Sequence, residues 1–192
     1  VTGDTGRWRE LLPLVPDLWR QRLSLYAGEY GAALEGSAAG ARRLVDLQLP
    51  ADDETAQRIR TNLLRFALAT EAMAALQLGR DAEAESALRE RLTLPPNPFS
   101  GADPQDETSR SQVMLAHAVT RQGRSAEARE ILQPALQRYR TEQKQGAGGI
   151  TFQRDLAYAL YASAIAQDDD RTGRAQRDAS LAEAAKLLAS LP

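Results

Sequence analysis

The chain of 192 residues contains no cysteine, a single histidine, His117, and only 5% aromatic residues. The absence of cysteine excludes disulfide scaffolds, thiolate zinc sites, iron–sulfur clusters and cysteine nucleophiles. One histidine excludes any metal site or mechanism that needs two. The net charge of -2 argues against a nucleic-acid-binding protein, because such proteins neutralise phosphates with Lys and Arg. No apolar run approaches the ~20 residues of a membrane-spanning helix, so we expect a soluble segment without membrane insertion.

A six-residue phrase occurs twice, at residues 79–84 (GRDAEA) and, 44 residues later, at residues 123–128 (GRSAEA). The glycine of each phrase can adopt the left-handed conformation that ends a helix. Two residues later, Asp81 or Ser125 can accept a hydrogen bond from the first amides of a new helix, so we expect these residues to be N-caps. A degraded third copy follows at residues 180–184. Each of the first two copies predicts the turn of a helical hairpin, and we expect the turn of the last hairpin at residues 168–173.

Apolar residues at helical spacing fill the stretches between loops such as residues 95–98 and 146–149. Pro13 and Pro16 interrupt the first apolar stretch, so we expect a break there and a helix that starts at Asp17. The pattern predicts about eight helices. They pair as four hairpins, over residues 17–47, 54–92, 107–141 and 152–191.

Small residues lie at fixed distances from the turn glycines: Ala72 and Ala116 seven residues before, Ala84 and Ala128 five residues after. With these residues the chain resembles the tetratricopeptide repeat family, whose units of roughly 34 residues are helix–turn–helix hairpins. The resemblance implies an all-α fold, one domain over residues 1–192, in which antiparallel hairpins stack as a right-handed α-solenoid. Successive copies are 44 and 56 residues apart, so we expect lengthened helices or inserted loops. A compact irregular helical bundle is the alternative.

In proteins that this chain resembles, ligand peptides lie in the concave groove formed by the first helix of each hairpin. The resemblance implies apolar contacts from Phe66 and Met73, and carboxylate binding by Arg110 and Arg121. One subgroup holds the terminal carboxylate of chaperone peptides with asparagines, which this chain lacks at the matching positions, so we do not expect that partner. The predicted groove residues are Phe66, Met73, Gln77, Arg110, Val113, His117, Thr120, Arg121, Ser163 and Gln167.

Two segments superficially match ligand-binding motifs. Residues 168–173 match the opening of a calcium-binding EF-hand loop, but Ala179 occupies the twelfth position, where the loop needs a bidentate Glu. Residues 146–149 are rich in glycine, but no strand precedes them and no Lys-Ser/Thr pair follows, as a phosphate-binding loop requires. We interpret the first segment as a polar turn, the second as a linker, and His117 as a surface or groove residue. We therefore expect no catalytic residue, metal or cofactor.

The remaining features favour an interaction module. Trp8 and Trp19 are most simply explained by packing in the core or between repeats. Because the chain begins at Val1 rather than Met, we expect it to be a segment of a larger protein. We expect a non-catalytic module that binds a protein or peptide and serves as a scaffold or regulatory segment. The alternative is a structural role, either self-association as a homodimer or docking against another domain of the same protein.

Overall fold

A computed structural model describes residues 7–95, 104–168 and 170–191. Within these ranges the chain forms eight α-helices, one short 3-10 helix and no strand. The 3-10 helix is Arg7–Glu10, and the α-helices are α1 Leu14–Tyr26, α2 Tyr30–Asp46, α3 Glu54–Gln77, α4 Asp81–Thr93, α5 Pro104–Arg121, α6 Ser125–Lys144, α7 Ile150–Ile165 and α8 Arg171–Ala189. None of the described helices is long and apolar enough to cross a membrane.

The helices belong to two compact units, residues 1–99 and 100–192, each of which holds two helical hairpins. In the first unit α1 packs on α2, α2 on α3 and α3 on α4, and α1 also contacts α3. In the second unit α5 to α8 pack in the same order, and α5 also contacts α7. The prediction of an all-helical chain with about eight helices is confirmed in the described ranges. A single domain over residues 1–192 stays a prediction.

The predicted turn glycines end their helices as expected. Gly79 and Gly123 have φ angles of 74° and 80°, in the region that only glycine adopts without steric cost, and Gly28 has 83°. After each glycine the next amide reaches back five residues: Arg80 N–H donates to the Ala75 carbonyl (2.9 Å), and the bonds after Gly28 and Gly123 are equivalent. These are Schellman turns, which satisfy carbonyls at the helix end.

The predicted N-caps are wrong. Asp81 and Ser125 are the first residues of α4 and α6, and the N-cap positions are held by Arg80 and Arg124, whose side chains make no cap hydrogen bond. The turn is one residue shorter than expected, because the residue after the glycine both closes the Schellman turn and begins the next helix. The arginine of each phrase instead pairs with its glutamate across the first turn. The pairs are Arg80–Glu83 (2.6 Å) and Arg124–Glu127 (3.0 Å).

Two further boundaries differ from the sequence predictions. Helix α1 starts at Leu14 and runs through Pro16, because a proline in the first turn removes an amide that has no helical partner. The turn before α8 was predicted at residues 168–173 and lies between Ile165 and Arg171, so α8 begins earlier than expected and the phrase copy at residues 180–184 lies inside it. The buried small residue near the start of α8 is Gly173, so the spacing from Ala84 and Ala128 is 44 and then 45 residues. The hairpins of α3–α4, α5–α6 and α7–α8 are therefore nearly equal in period.

Alanine is the commonest residue in the buried core of the described ranges, ahead of leucine. A methyl side chain allows helices to pack at short distance, so these positions mark where helices cross closely. Ala116 and Ala128, two of the small residues predicted to do this, are fully buried in the second unit. In the first unit the same is true of Ala72 and Ala84.

Candidate protein-binding surface

Helix α1 is apolar on two faces. Leu14, Leu18 and Leu25 are buried, and they face the rest of the first unit. Trp19, Leu23 and Tyr26 lie four and three residues apart on a different face and are 55%, 62% and 70% exposed. Leu12, which precedes the helix at the same periodicity, is 51% exposed, and we call these four residues the α1 stripe. An exposed stripe of this kind is typical of an interaction surface.

Trp19 connects the α1 stripe to helix α3. Its ring lies 4.9 Å from the ring of Phe66, centroid to centroid, in a tilted arrangement. Trp19 therefore packs against the second hairpin through one side of its ring, while more than half of the residue is exposed. The side chain of Trp8 lies outside the described residues.

Arg22 lies beside this aromatic pair and makes only neutral contacts. Its guanidinium carbon lies 4.6 Å from the centre of the Phe66 ring, a cation–π distance. Nε donates to Thr70 Oγ1 at 3.0 Å, and the terminal nitrogens donate to the Met73 sulfur and the Phe66 carbonyl, both at 3.5 Å. Within the described ranges no carboxylate forms an ion pair with it. Since a guanidinium has five N–H donors, two remain after these three bonds.

The first unit thus brings two of the predicted groove residues together. Phe66 and Met73 both contact Arg22, while Gln77 lies exposed at the last position of α3. Sequence reasoning missed Trp19 and Arg22 as members of this surface. The signal was present, because a helix with leucines on one face and large apolar residues on another has more apolar surface than one contact can bury.

In the second unit, Arg110 is already paired. Its Nε donates to Asp155 Oδ2 at 2.6 Å and joins α5 to α7. Burial lowers the pKa of Arg110, but the hydrogen bond and charge of Asp155 outweigh this effect and raise the pKa above its ordinary value. The predicted carboxylate ligand of Arg110 is thus supplied by the protein itself, from a residue that sequence reasoning did not single out.

His117 belongs to an aromatic cluster of the second unit. Its Nδ1 lies 2.7 Å from the Tyr158 hydroxyl, and its ring meets Tyr158 and Tyr161 edge-on at 5.8 and 5.7 Å. Burial raises the pKa of Tyr158 to about 12, so the phenol stays protonated and acts in a hydrogen bond rather than as a base. The positive charge of Arg121, which is exposed at the end of α5, partly offsets this effect because it lowers the pKa of Tyr158.

Four other predicted groove residues lie elsewhere in the second unit. Val113 is buried, and the Thr120 hydroxyl donates to the Ala116 carbonyl of its own helix. Ser163 and Gln167 line a cleft of about 910 Å³ together with residues of α6 and α8. Ser163 is five residues from Tyr158, or about 140° around the helix, so the cleft and the aromatic cluster lie on different faces of α7. Within the second unit the predicted residues therefore lie in more than one environment, and a common groove stays a prediction.

The EF-hand-like segment is used structurally. Asp168 pairs with Arg129 at 3.1 Å, and Asp170 caps α8 by accepting from the Gly173 amide at 2.6 Å. Asp169 lies outside the described residues. Among the residues that are described, no three His, Asp or Glu side chains form a group that could hold a metal ion. The geometry supports the interpretation of this segment as a polar turn.

Comparison with known proteins gives no relative: no protein-family model, no curated protein and no solved structure matches the chain. The resemblance to tetratricopeptide repeats therefore stays a prediction. What the chain does has to be argued from the surfaces described above.

Proposed function

We propose that this chain is a non-catalytic helical repeat module of the tetratricopeptide type, with hairpins stacked in a right-handed sense, that binds a protein or peptide. It would act as a scaffold or regulatory segment of a larger protein. The observation that carries the proposal is the α1 stripe, in which Trp19, Leu23 and Tyr26 are each more than half exposed on one helix face. Aromatic residues and arginine are the residue types enriched in binding hot spots.

The first unit supports this function better than the second. In the second unit the arginines between helices are neutralised by carboxylates: Arg110 by Asp155, and Arg138 by Asp106 and Glu142. In the first unit Arg22 lies among aromatic and sulfur-containing side chains, where a ligand can still reach it. We therefore place the binding surface on α1 and α3, and not on the whole of the groove predicted from sequence.

Peptide selection tests the proposal even though the partner is unidentified. A phage-displayed library of random peptides is selected on the protein, and the affinity of the enriched peptides is measured by fluorescence anisotropy. Trp19→Ala combined with Leu23→Ala should weaken binding at least about tenfold, because the two anchors are removed. Leu188→Ala is the matched control, since Leu188 is also 50% exposed but lies on α8.

The double variant should retain its helical circular dichroism, because both side chains are largely exposed in the folded protein. The proposal is wrong if no peptide is enriched, or if the enriched peptides bind the double variant and the wild-type protein equally well.

A further inference from the structure

We infer that the partner on the α1 stripe is an acidic amphipathic helix, which packs on α1 in the way that the hairpin α1–α2 packs on α3. This inference rests on the proposed function and specifies its ligand.

The first two hairpins are equivalent at a spacing of 51 residues. The turn glycines Gly28 and Gly79 have this spacing, and so do the fully buried Ala33 and Ala84 that follow them. The same spacing therefore relates each position of α1 to a position of α3.

Trp19 and Leu23 of the α1 stripe correspond to positions of α3 that are covered, whereas Tyr26 corresponds to the exposed Gln77. Trp19 is equivalent to Thr70, which is 1% exposed and receives a hydrogen bond from Arg22 of α1. Leu23 is equivalent to Ala74, which is fully buried. Helix α3 has α1 and α2 packed against it, whereas the α1 stripe stays more than half exposed, although Trp19 touches Phe66 of α3. The stripe thus continues an interface that already exists one hairpin further along the chain.

Charge determines what kind of helix fits. Arg20 of α1, at the position equivalent to Glu71 of α3, has an exposed side chain beside the stripe. The incoming helix therefore meets a cation, which an acidic side chain on that helix would complement. Arg22 adds a second cation, which has no acidic partner among the described residues, and Asp17 is shared between Arg20 (2.9 Å) and Arg43 (3.6 Å). The flank of the stripe is therefore positive.

A second copy of the chain fits this surface poorly. The exposed parts of Trp19, Leu23 and Tyr26 amount to on the order of 400 Å², about half of the ~800 Å² that each folded partner of a stable complex buries, so the stripe suits a single helix better than a second folded chain. Of the other exposed leucines among the described residues, Leu78 lies at the end of α3, and Leu181 and Leu188 lie on α8, which is basic. Its charged residues are Arg171, Arg174, Arg177 and Lys186 against Asp178 and Glu183.

Defined helical probes test the inference. One synthetic peptide of about 18 residues, long enough for a helix in an alanine-rich background, carries leucines spaced four and three apart and glutamates beside them. A second peptide has Lys in place of each Glu. A third has the composition of the first but contains prolines that prevent a helix. Binding to the wild-type protein is measured by fluorescence anisotropy at low and at physiological salt.

The Glu probe should bind the wild-type protein at least about tenfold more tightly than either of the other probes. Arg20→Glu should reverse the preference in favour of the Lys probe, because the Arg20 side chain is exposed at the edge of the stripe. The matched control is Arg89→Glu, on α4 of the same unit, which should leave the preference unchanged.

Each other outcome contradicts the inference in a distinguishable way. Equal binding of the Glu and Lys probes refutes the charge argument, and equal binding of the proline-containing probe refutes a helical ligand. If phage-selected peptides depend on Trp19 and Leu23 while the Glu probe does not bind, the proposed function survives and the inference fails. A dimer in sedimentation that is abolished by the Trp19 and Leu23 double variant identifies a second copy as the occupant and also refutes it.

Discussion

Removal of the Tyr139 hydroxyl is expected to stabilise the protein. Tyr139 lies on α6 with 2% of its surface exposed, and its ring meets Phe152 edge-on at 6.0 Å. Its hydroxyl oxygen is buried and has no hydrogen-bond partner in the described chain. Burial, followed by the negative charge of Asp155, raises the pKa of Tyr139 above its ordinary value, as expected for a phenol without polar contacts.

The magnitude follows from the cost of an unsatisfied buried polar group, about 1–3 kcal/mol. Tyr139→Phe removes that cost and keeps the ring against Phe152, so the free energy of unfolding should rise by about 1 kcal/mol. For a chain of this size this corresponds to an increase of roughly 2–4 °C in the unfolding midpoint. Urea and thermal unfolding, followed by circular dichroism, measure both quantities.

Tyr158→Phe is the matched control for this prediction. The Tyr158 hydroxyl is bonded to His117 Nδ1 at 2.7 Å, so its removal should destabilise the protein by about 1 kcal/mol. Both substitutions remove a tyrosine hydroxyl from the second unit, and they are expected to change the free energy of unfolding in opposite directions. If Tyr139→Phe destabilises the protein as much as Tyr158→Phe does, the Tyr139 hydroxyl has a bonding partner and the reasoning is refuted.

Three further predictions concern stability. Burial, and next the charge of Glu90, raise the pKa of Glu71 from 4.5 to about 7. The folded state therefore binds this proton more tightly than the unfolded state does. The resulting contribution to the free energy of unfolding is full below pH 4.5 and is lost as the pH rises through 7. With a discount for partial exposure we expect a loss of about 1–2 kcal/mol between pH 5 and 8 in urea titrations, which Glu71→Gln should abolish; an unchanged slope in that variant would contradict the assignment. A Cβ at Gly173 would overlap the Asp168 carbonyl oxygen, so Gly173→Ala should lower the free energy of unfolding by about 1–3 kcal/mol. Gly149→Ala, where a Cβ meets open space, should be close to neutral. Equal unfolding midpoints for the two variants would contradict this prediction. Arg65 is 5% exposed and donates to three carbonyls at and beyond the end of α4. Arg65→Met should therefore lower the free energy of unfolding by about 2–4 kcal/mol. An unfolding midpoint within experimental error of wild type would show that these hydrogen bonds contribute nothing.

The hairpin turns were predictable because they depend on local chemistry. A glycine that follows an apolar stretch with helical spacing commonly ends the helix, and Gly79 and Gly123 have the positive φ angles that this role requires. The N-caps were mispredicted because the sequence does not show that Arg80 and Arg124 belong to both helices at once. The fourth hairpin turn, between α7 and α8, has no glycine at its start, and the phrase copy at residues 180–184 misled the estimate of the repeat spacing.

The candidate site was less predictable, since it depends on contacts between residues far apart in sequence. Asp155, which neutralises Arg110, is 45 residues away from it, and no local pattern links the two. Which apolar face of α1 is buried depends on where α2 and α3 pack, so Trp19 could equally have been a core residue. Ser163 lies on α7 and Gln167 just beyond its end, and the residues of α6 and α8 that line a cleft with them are far from them in sequence.

The alanine-rich core also bears on which sequences this fold can accept. A buried alanine gives up no rotamer freedom on folding, so such a core forms at little cost in side-chain entropy, although each methyl contributes little. Enlargement of one of these residues forces two backbones apart, while its reduction to glycine weakens the helix by about 1 kcal/mol. Substitution in the core is therefore restricted in both directions. Exposed positions such as Leu23 and Tyr26 are less restricted, so the chemistry of this surface can diverge between related chains while the helices beneath it keep their spacing.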